Sequence, residues 1–219
     1  MRKATNGIYF DDVHSYDDLF LVLSEKDIPP AAPKTTYIDI PGADGSLDLT
    51  EAHGEVKYKD RDCKFVFTMH PSDKTDFEEK KTEISNLLNG RICKITLDTD
   101  ADYYYHGRCT VSDYLQDKNL KQFVITAKVN PYKQKQDVTA VTVALSETAK
   151  TVHLSNGRRF VVPFIECTNN NTVVVFGNTT FNLNAGTHKL LDIRLKDGIN
   201  AVTVSGTGTV TFRYQEGEL

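Results

Sequence analysis

The sequence predicts a mainly β protein of two domains, the first carrying a single α-helix and the second a small β-sandwich. Three observations lead there. Short stretches alternate apolar and polar residues with turn residues between them, the period of half-buried strands. Only one stretch has helical periodicity. After Asn130, Pro131, Tyr132 and Lys133 the composition shifts to Thr, Val, Asn and Gly. Proline cannot donate to a ladder and a polar Gln134-Lys135-Gln136-Asp137 stretch follows, so the domains divide into residues 1–133 and 134–219. With 219 residues and 39% apolar content, each domain can bury a core.

In chain order, strands are expected at residues 7–10, 19–24, 37–40, 55–59 and 64–70. Between the third and fourth lies a loop of Pro41, Gly42, Ala43, Asp44 and Gly45, where proline sets φ and both glycines can take positive φ, so the backbone must reverse or bulge. Leu47 and Leu49 then alternate with Ser46, Asp48 and Thr50, a half-buried strand pattern. The helix is expected over residues 72–89, about four to five turns. Thr75 and Glu78 have capping-box spacing; Phe77, Ile84, Leu87 and Leu88 form the apolar stripe; Gly90 closes the C-terminus. Glu78, Glu79, Lys80, Lys81 and Glu83 form its solvated face. Strands at residues 91–97, 103–114 and 120–129 follow as an antiparallel meander, with turns at residues 98–102 and 116–119. In the second domain, Ser155-Asn156-Gly157, Gly177-Asn178, Asn184-Ala185-Gly186 and Asp197-Gly198 recur at sandwich spacing.

Composition excludes several function classes. A net charge of −4 with interspersed signs makes no basic stripe, which disfavours tight phosphate neutralisation and sequence-specific DNA binding. Leu19 to Leu23, the most apolar early run, is too short for a signal-peptide core or a membrane span, so membrane insertion is not expected. Cys63, Cys93, Cys109 and Cys167 form no Cys-x-x-Cys pair, and the first three alternate in register with apolar strand residues, as buried reduced thiols would.

Chemical motifs are sparse. Asp98-x-Asp100-x-Asp102 begins like a calcium loop, but Tyr103 stands where glycine is needed and Cys109 where glutamate is needed, leaving an acidic turn. His70 and His106 lack ligand spacing with the cysteines. In Tyr103-Tyr104-Tyr105 only the outer two can share a face, which suits packing or an interface. No nucleophile elbow, phosphate loop or paired-carboxylate setting stands out, so neither catalysis nor a cofactor nor a metal is expected. The Asn170 and Asn178 sequons read as turns. Phe164, Phe176, Phe181, Phe212 and Tyr214 sit among apolar strand residues, so most of them are core, and tryptophan is absent. An alternative function, a carbohydrate-binding module acting in host cell-wall adsorption, in which the second domain grips a cell-wall sugar through aromatic residues and amides, therefore has little in the sequence to support it.

The run from Tyr37 to Thr50, with the Pro-rich lead-in before it and one amphipathic helix after it, resembles the amino-terminal domain of phage distal tail (Dit) proteins, the hub of long-tailed phages of Gram-positive hosts. The order and proportions of the remaining elements extend the resemblance over nearly the whole chain. It implies a barrel or split-barrel-like first domain and a galectin-like second domain. It further implies a homo-oligomer, a hexameric ring joining the tail tube to the tail tip or baseplate, through which DNA passes without specific binding. The implied partners are the tail tube protein, the tape-measure protein, a tail-associated (Tal-type) protein and receptor-binding proteins carried on the outward-facing second domain. The implied location is the virion tail tip, after assembly in the bacterial host cytoplasm. At about 85 residues the second domain has no inserted carbohydrate module and no long arm, unlike larger members. In such a ring, Pro29, Pro30 and Pro33, with the loop of Pro41, Gly42, Asp44 and Gly45, are expected against a neighbouring subunit, because a Pro-rich stretch is stiff and cheap to order.

Overall fold

Most of the alternating stretches form strands in the computed structural model, which describes residues 6–52, 54–70, 75–117 and 120–219. Two units result, Met1–Lys133 and Gln134–Leu219. The first contains β1 (Ile8–Phe10), β2 (Val13–His14), β3 (Leu21–Asp27), β4 (Tyr37–Asp39), β5 (Ser46–Asp48), β6 (Arg61–Met69), α1 (Phe77–Leu88), β7 (Ile92–Leu97), β8 (Tyr103–Asp117) and β9 (Leu120–Val129). Its main sheet runs β2-β1-β7-β8-β9-β6-β3, antiparallel throughout.

This sheet cannot be flat. Its two edge strands, β2 and β3, are consecutive in the chain and joined by residues 15–20 alone. Laid flat, they would stand roughly 29 Å apart at the usual strand spacing. Instead, Leu21 N–H donates to Ser15 O at 2.7 Å, so the link is folded rather than stretched. Phe10 of β1 meets Phe65 and Phe67 of β6 at ring distances of 6.4 and 6.1 Å, although three strands lie between them in the sheet. The sheet is therefore rolled into a split barrel around Ile8, Phe10, Phe65, Phe67, Ile95 and Phe123, all buried. Bulges between Leu23 and Glu25 in β3 and between Val111 and Asp113 in β8 sharpen the bend. At Gly107 the backbones of β8 and β9 approach so closely that a Cβ would lie 2.1 Å from Lys128 O.

The helix is shorter than expected. It starts at Phe77, and Asp76 rather than Thr75 caps it, its carboxylate accepting from Glu78 N–H at 2.9 Å. Residues 72–74 of the expected helix, and the tip of the turn at residues 116–119, lie outside the described residues. Phe77, Ile84 and Leu88 are buried as expected, while Leu87 is only partly so. Lys80 departs from the expected solvated face. It is 4% exposed, because it follows Phe77 by three residues and precedes Ile84 by four and so shares their stripe, and its ammonium reaches Glu83 at 2.9 Å. Gly90 takes φ +76° directly after the helix. The strand expected at residues 55–59 is a single bridge, Pro33 to Tyr58, flanked by bonds from Lys34 N–H to Lys57 O and from Lys59 N–H to Ala32 O. Prolines 29, 30 and 33 remove the donors a longer ladder would need.

After β10 (Lys133–Lys135), the second unit contains β11 (Thr139–Ala144), β12 (Lys150–Asn156), β13 (Phe164–Cys167), β14 (Thr172–Phe176), β15 (Thr179–Leu183), β16 (Gly186–Lys189), β17 (Gly198–Ser205), β18 (Thr209–Tyr214) and β19 (Gly217–Glu218). Two four-stranded antiparallel sheets, β11-β18-β13-β16 and β12-β17-β14-β15, enclose one core. Leu154, Val174 and Val202 enter it from one sheet, and Ile165, Val210 and Phe212 from the other. Tyr214 crosses between the sheets to donate to Ser155 O at 2.6 Å. The buried Asn200 amide holds the preceding loop by donating to Lys196 O at 2.8 Å and accepting from Lys196 N–H at 2.9 Å. Of the five aromatics, most are core as expected, with Phe212 and Tyr214 buried and Phe176 and Phe181 partly so, while Phe164 points outward. Its neighbour Ile165 takes the inward position, and strand side chains alternate.

All four cysteines are free and buried. Burial pushes the thiols up, Cys63 to about 11, with Cys93, Cys109 and Cys167 shifted the same way by the same cause. A thiol reagent at about pH 8 should find none of them in the native protein and all of them in denaturant. The unfolded thiol ionises near 9.0 and buried Cys63 near 11, so the folded state keeps the proton that the unfolded state loses. Stability should be complete below about pH 9 and fall as the pH rises toward 11, which urea midpoints measured across that range would reveal. Replacing Gly107 by alanine should cost about 2–3 kcal/mol, read as a lowered urea midpoint, because the added methyl collides with a backbone oxygen that cannot turn away.

Candidate inter-subunit arm

Strands β3 and β6 are antiparallel neighbours, a pair that a turn of a few residues could connect. Residues 28–60 intervene instead. A connection of that length where the fold requires so little is a functional feature to be explained. Its middle is the β4–β5 hairpin, registered Tyr37 to Asp48, Ile38 to Leu47 and Asp39 to Ser46. Pro41 leads into the tip, and Gly42 and Gly45 take φ of +83° and +75°, left-handed conformations that glycine alone adopts without cost. At the base, Leu49 N–H donates to Thr36 O at 2.8 Å and Thr36 N–H to Thr50 Oγ1 at 3.1 Å.

Strand alternation sorts this arm into two faces. Ile38, Ile40 and Leu47 lie on one, each 49% exposed; Tyr37, Asp39, Ser46 and Asp48 lie on the other. Ser46 Oγ donates to Asp39 Oδ1 at 2.6 Å. Hydrogen bonds from Thr50 hold the Asp48 carboxyl below the ordinary carboxylate range. Of the half-buried pattern expected here, Leu49 is half-buried while Leu47 is exposed. Among the described residues β5 pairs with β4 alone, and that two-stranded sheet joins no other. A hairpin with one uncovered apolar face is marginal in water by itself.

The prolines are placed differently from the tip. Pro33 pairs with its own chain at Tyr58, and Pro29 sits at an anchor. There the buried Arg61 donates from Nε to Pro131 O at 2.9 Å and from Nη1 to Pro29 O at 3.5 Å, with its guanidinium 5.7 Å from the centre of the Tyr105 ring. The connection thus leaves the barrel from a fixed point. Pro30, Pro41, Gly42, Asp44 and Gly45 are all exposed.

The remaining candidates are absorbed by packing. Asp98 and Asp100 form a short 3-10 turn. Asp98 accepts from Gly7 N–H at 3.0 Å and lies 3.2 Å from His14 Nε2, while Asp100 pairs with Lys133 at 2.8 Å. Sequence reasoning missed His14, a buried ring set between Asp17 and Asp98; Asp98 lies 84 residues away, so no spacing signalled that contact. His70 packs edge-on against Tyr16, and His106 is exposed on β8. Tyr103 and Tyr104 each receive a lysine ammonium over the ring, from Lys133 and Lys94. Among the described residues no group of three His, Cys, Asp or Glu side chains is arranged to hold a metal, and no helix is long and apolar enough to cross a membrane.

No family model and no curated protein matches the sequence. The fold has a solved counterpart, the crystal structure of the SPP1 Dit (gp 19.1) protein, described as a paradigm of the hub adsorption apparatus in phages that infect Gram-positive bacteria. The likeness has a TM-score of 0.70 at 15% sequence identity and covers 97% of this chain and 99% of that one. At that identity it establishes the fold: this chain is built as the Dit protein is, through both of its units.

Proposed function

We propose that this chain is a structural hub protein of a phage tail tip, assembling as a hexameric ring between tail tube and baseplate. The observation that carries the reading is the end-to-end likeness to a hub protein of the adsorption apparatus, which spans both units and leaves almost none of either chain unmatched. In this reading the first unit forms the ring and the second, facing outward, carries receptor-binding components. The ring passes DNA without gripping it, in keeping with a net charge of −4. The protein acts by assembly rather than by catalysis, as part of the virion.

The exposed arm supports the ring. A head-to-tail ring that closes needs two different complementary patches on each subunit. The face of Ile38, Ile40 and Leu47 is one such patch, apolar and without cover inside its own chain, and the neighbouring copy supplies the other. In the ring, assembly completes the burial that Ile38, Ile40 and Leu47 lack in the single chain. The fixed exit at Arg61 and the stiff proline segment set the direction of the arm and lower the entropy lost on docking.

Native mass spectrometry of the full chain across a concentration series should show hexamers or stacked pairs of hexamers. Ile38→Asp together with Leu47→Asp should cut the ring population at least about tenfold, with the melting temperature of the monomer unchanged, since both residues lie outside either core. A ring population untouched by the double substitution would remove the arm from the interface.

A further inference from the structure

On the outer face of the β11-β18-β13-β16 sheet, three side chains stand in one row across three strands. Phe164 of β13 is directly opposite Arg213 of β18 on one side and Lys189 of β16 on the other. Phe164 is 47% exposed, large and apolar in a position the core does not use. The Lys189 ammonium lies over its ring, 4.8 Å from the centre, and Arg213 Nε donates to Glu166 Oε1 at 2.9 Å. This row floors a groove of about 670 Å³, walled by Arg159 and by the exposed Leu191 and Val138. Leu191 is 72% exposed.

The geometry points to a docking groove for an acidic segment of a partner protein that carries apolar anchors. The charge decides the sign of the partner. The lining holds three cations, Arg159, Lys189 and Arg213, against one carboxylate, Glu166, which already accepts from Arg213. That is a local excess of positive charge on a chain whose net charge is −4. Phe164, Leu191 and Val138 supply apolar contact at the centre, and an aromatic ring with arginine nearby is the composition of the well-packed middle of protein interfaces.

The same geometry argues against a stacked sugar. Carbohydrate stacking needs an open aromatic face, and the Lys189 ammonium covers one face of Phe164. A sugar on that face would have to displace the cation, whereas a carboxylate beside Lys189 leaves the cation–π contact intact. The edge position of β16 adds a backbone mode of attachment. It pairs with β13 alone, so a partner strand can extend the sheet while alternate side chains reach the groove. The inference rests on the hub reading, in which the second unit carries other tail components.

The test is selection of a displayed random-peptide library on the full chain, followed by affinity measurement of the enriched peptides. Enriched sequences should combine Asp or Glu with Leu, Ile or Phe, and should bind Lys189→Glu and Phe164→Ser at least about tenfold more weakly than the parent. Both positions are exposed, so the melting temperature should hold and show that binding rather than folding was lost. Three results would overturn the inference: no enrichment, peptides that bind both variants as well as the parent, or poly(glycerol phosphate) competing for the groove while peptides do not bind. Native mass spectra of the same samples separate the two readings. Rings without peptide binding refute the groove and leave the hub; a strict monomer that binds acidic peptides through Lys189 and Phe164 refutes the hub and leaves the groove.

Discussion

The six-residue link between β2 and β3 governs the first unit, because it ties the two edges of one sheet together over a distance that a flat sheet would not allow. With the edges joined, the sheet must roll, and Phe10 comes to rest on Phe65 and Phe67 across the interior. The bulges in β3 and β8 and the close approach at Gly107 are the places where the backbone accommodates that curvature. The helix then packs Phe77 against Phe123, adding a second layer to the strands of the meander. Asp98, bonded to Gly7 and near His14, fastens the residue before β1 to the turn after β7.

The apolar positions of β1, β6, β7, β8 and β9 line the interior of the roll, and Ile38 and Leu47 lie outside that core. The arm leaves from a point held by the buried Arg61, which bonds Pro131 O and Pro29 O and sets its guanidinium over the Tyr105 ring. A rigid root with an uncovered tip is suited to reaching a neighbour: ordering is complete where the arm begins, and apolar surface remains to be buried where it ends.

The second unit solves a different problem. Its two sheets share one core, with Tyr214 and Asn200 satisfying polar groups at the margin, so its outer faces are free to vary without loss of stability. On one such face the cationic row around Phe164 differs in chemistry from the arm of the first unit, which is apolar on one side and carries Asp39 and Asp48 on the other. Under the proposed hub and groove readings, two surfaces of unlike chemistry serve two different contacts, one between copies and one with another protein.

Much of the local structure was legible in the sequence. Cys63, Phe65, Phe67 and Met69 alternate and are buried together; Leu120–Val129 is the strand its pattern indicates; Phe77, Ile84 and Leu88 form the inward face of the only helix among the described residues. These features depend on neighbours two, three or four residues away, which a linear pattern records. What covers a face depends on residues far off in the chain, and there the pattern is silent. Lys80 was drawn inward by the stripe it shares, Phe164 turned outward because Ile165 took the core, the strand at residues 55–59 was reduced to one bridge by the prolines opposite it, and His14 found Asp98 across the rolled sheet. The sequence by itself determined which residues are apolar and with what period. Only the tertiary structure decided which apolar faces are covered within one chain and which, like that of Ile38, Ile40 and Leu47, are left bare, because burial is a property of the long-range packing that closes over a face.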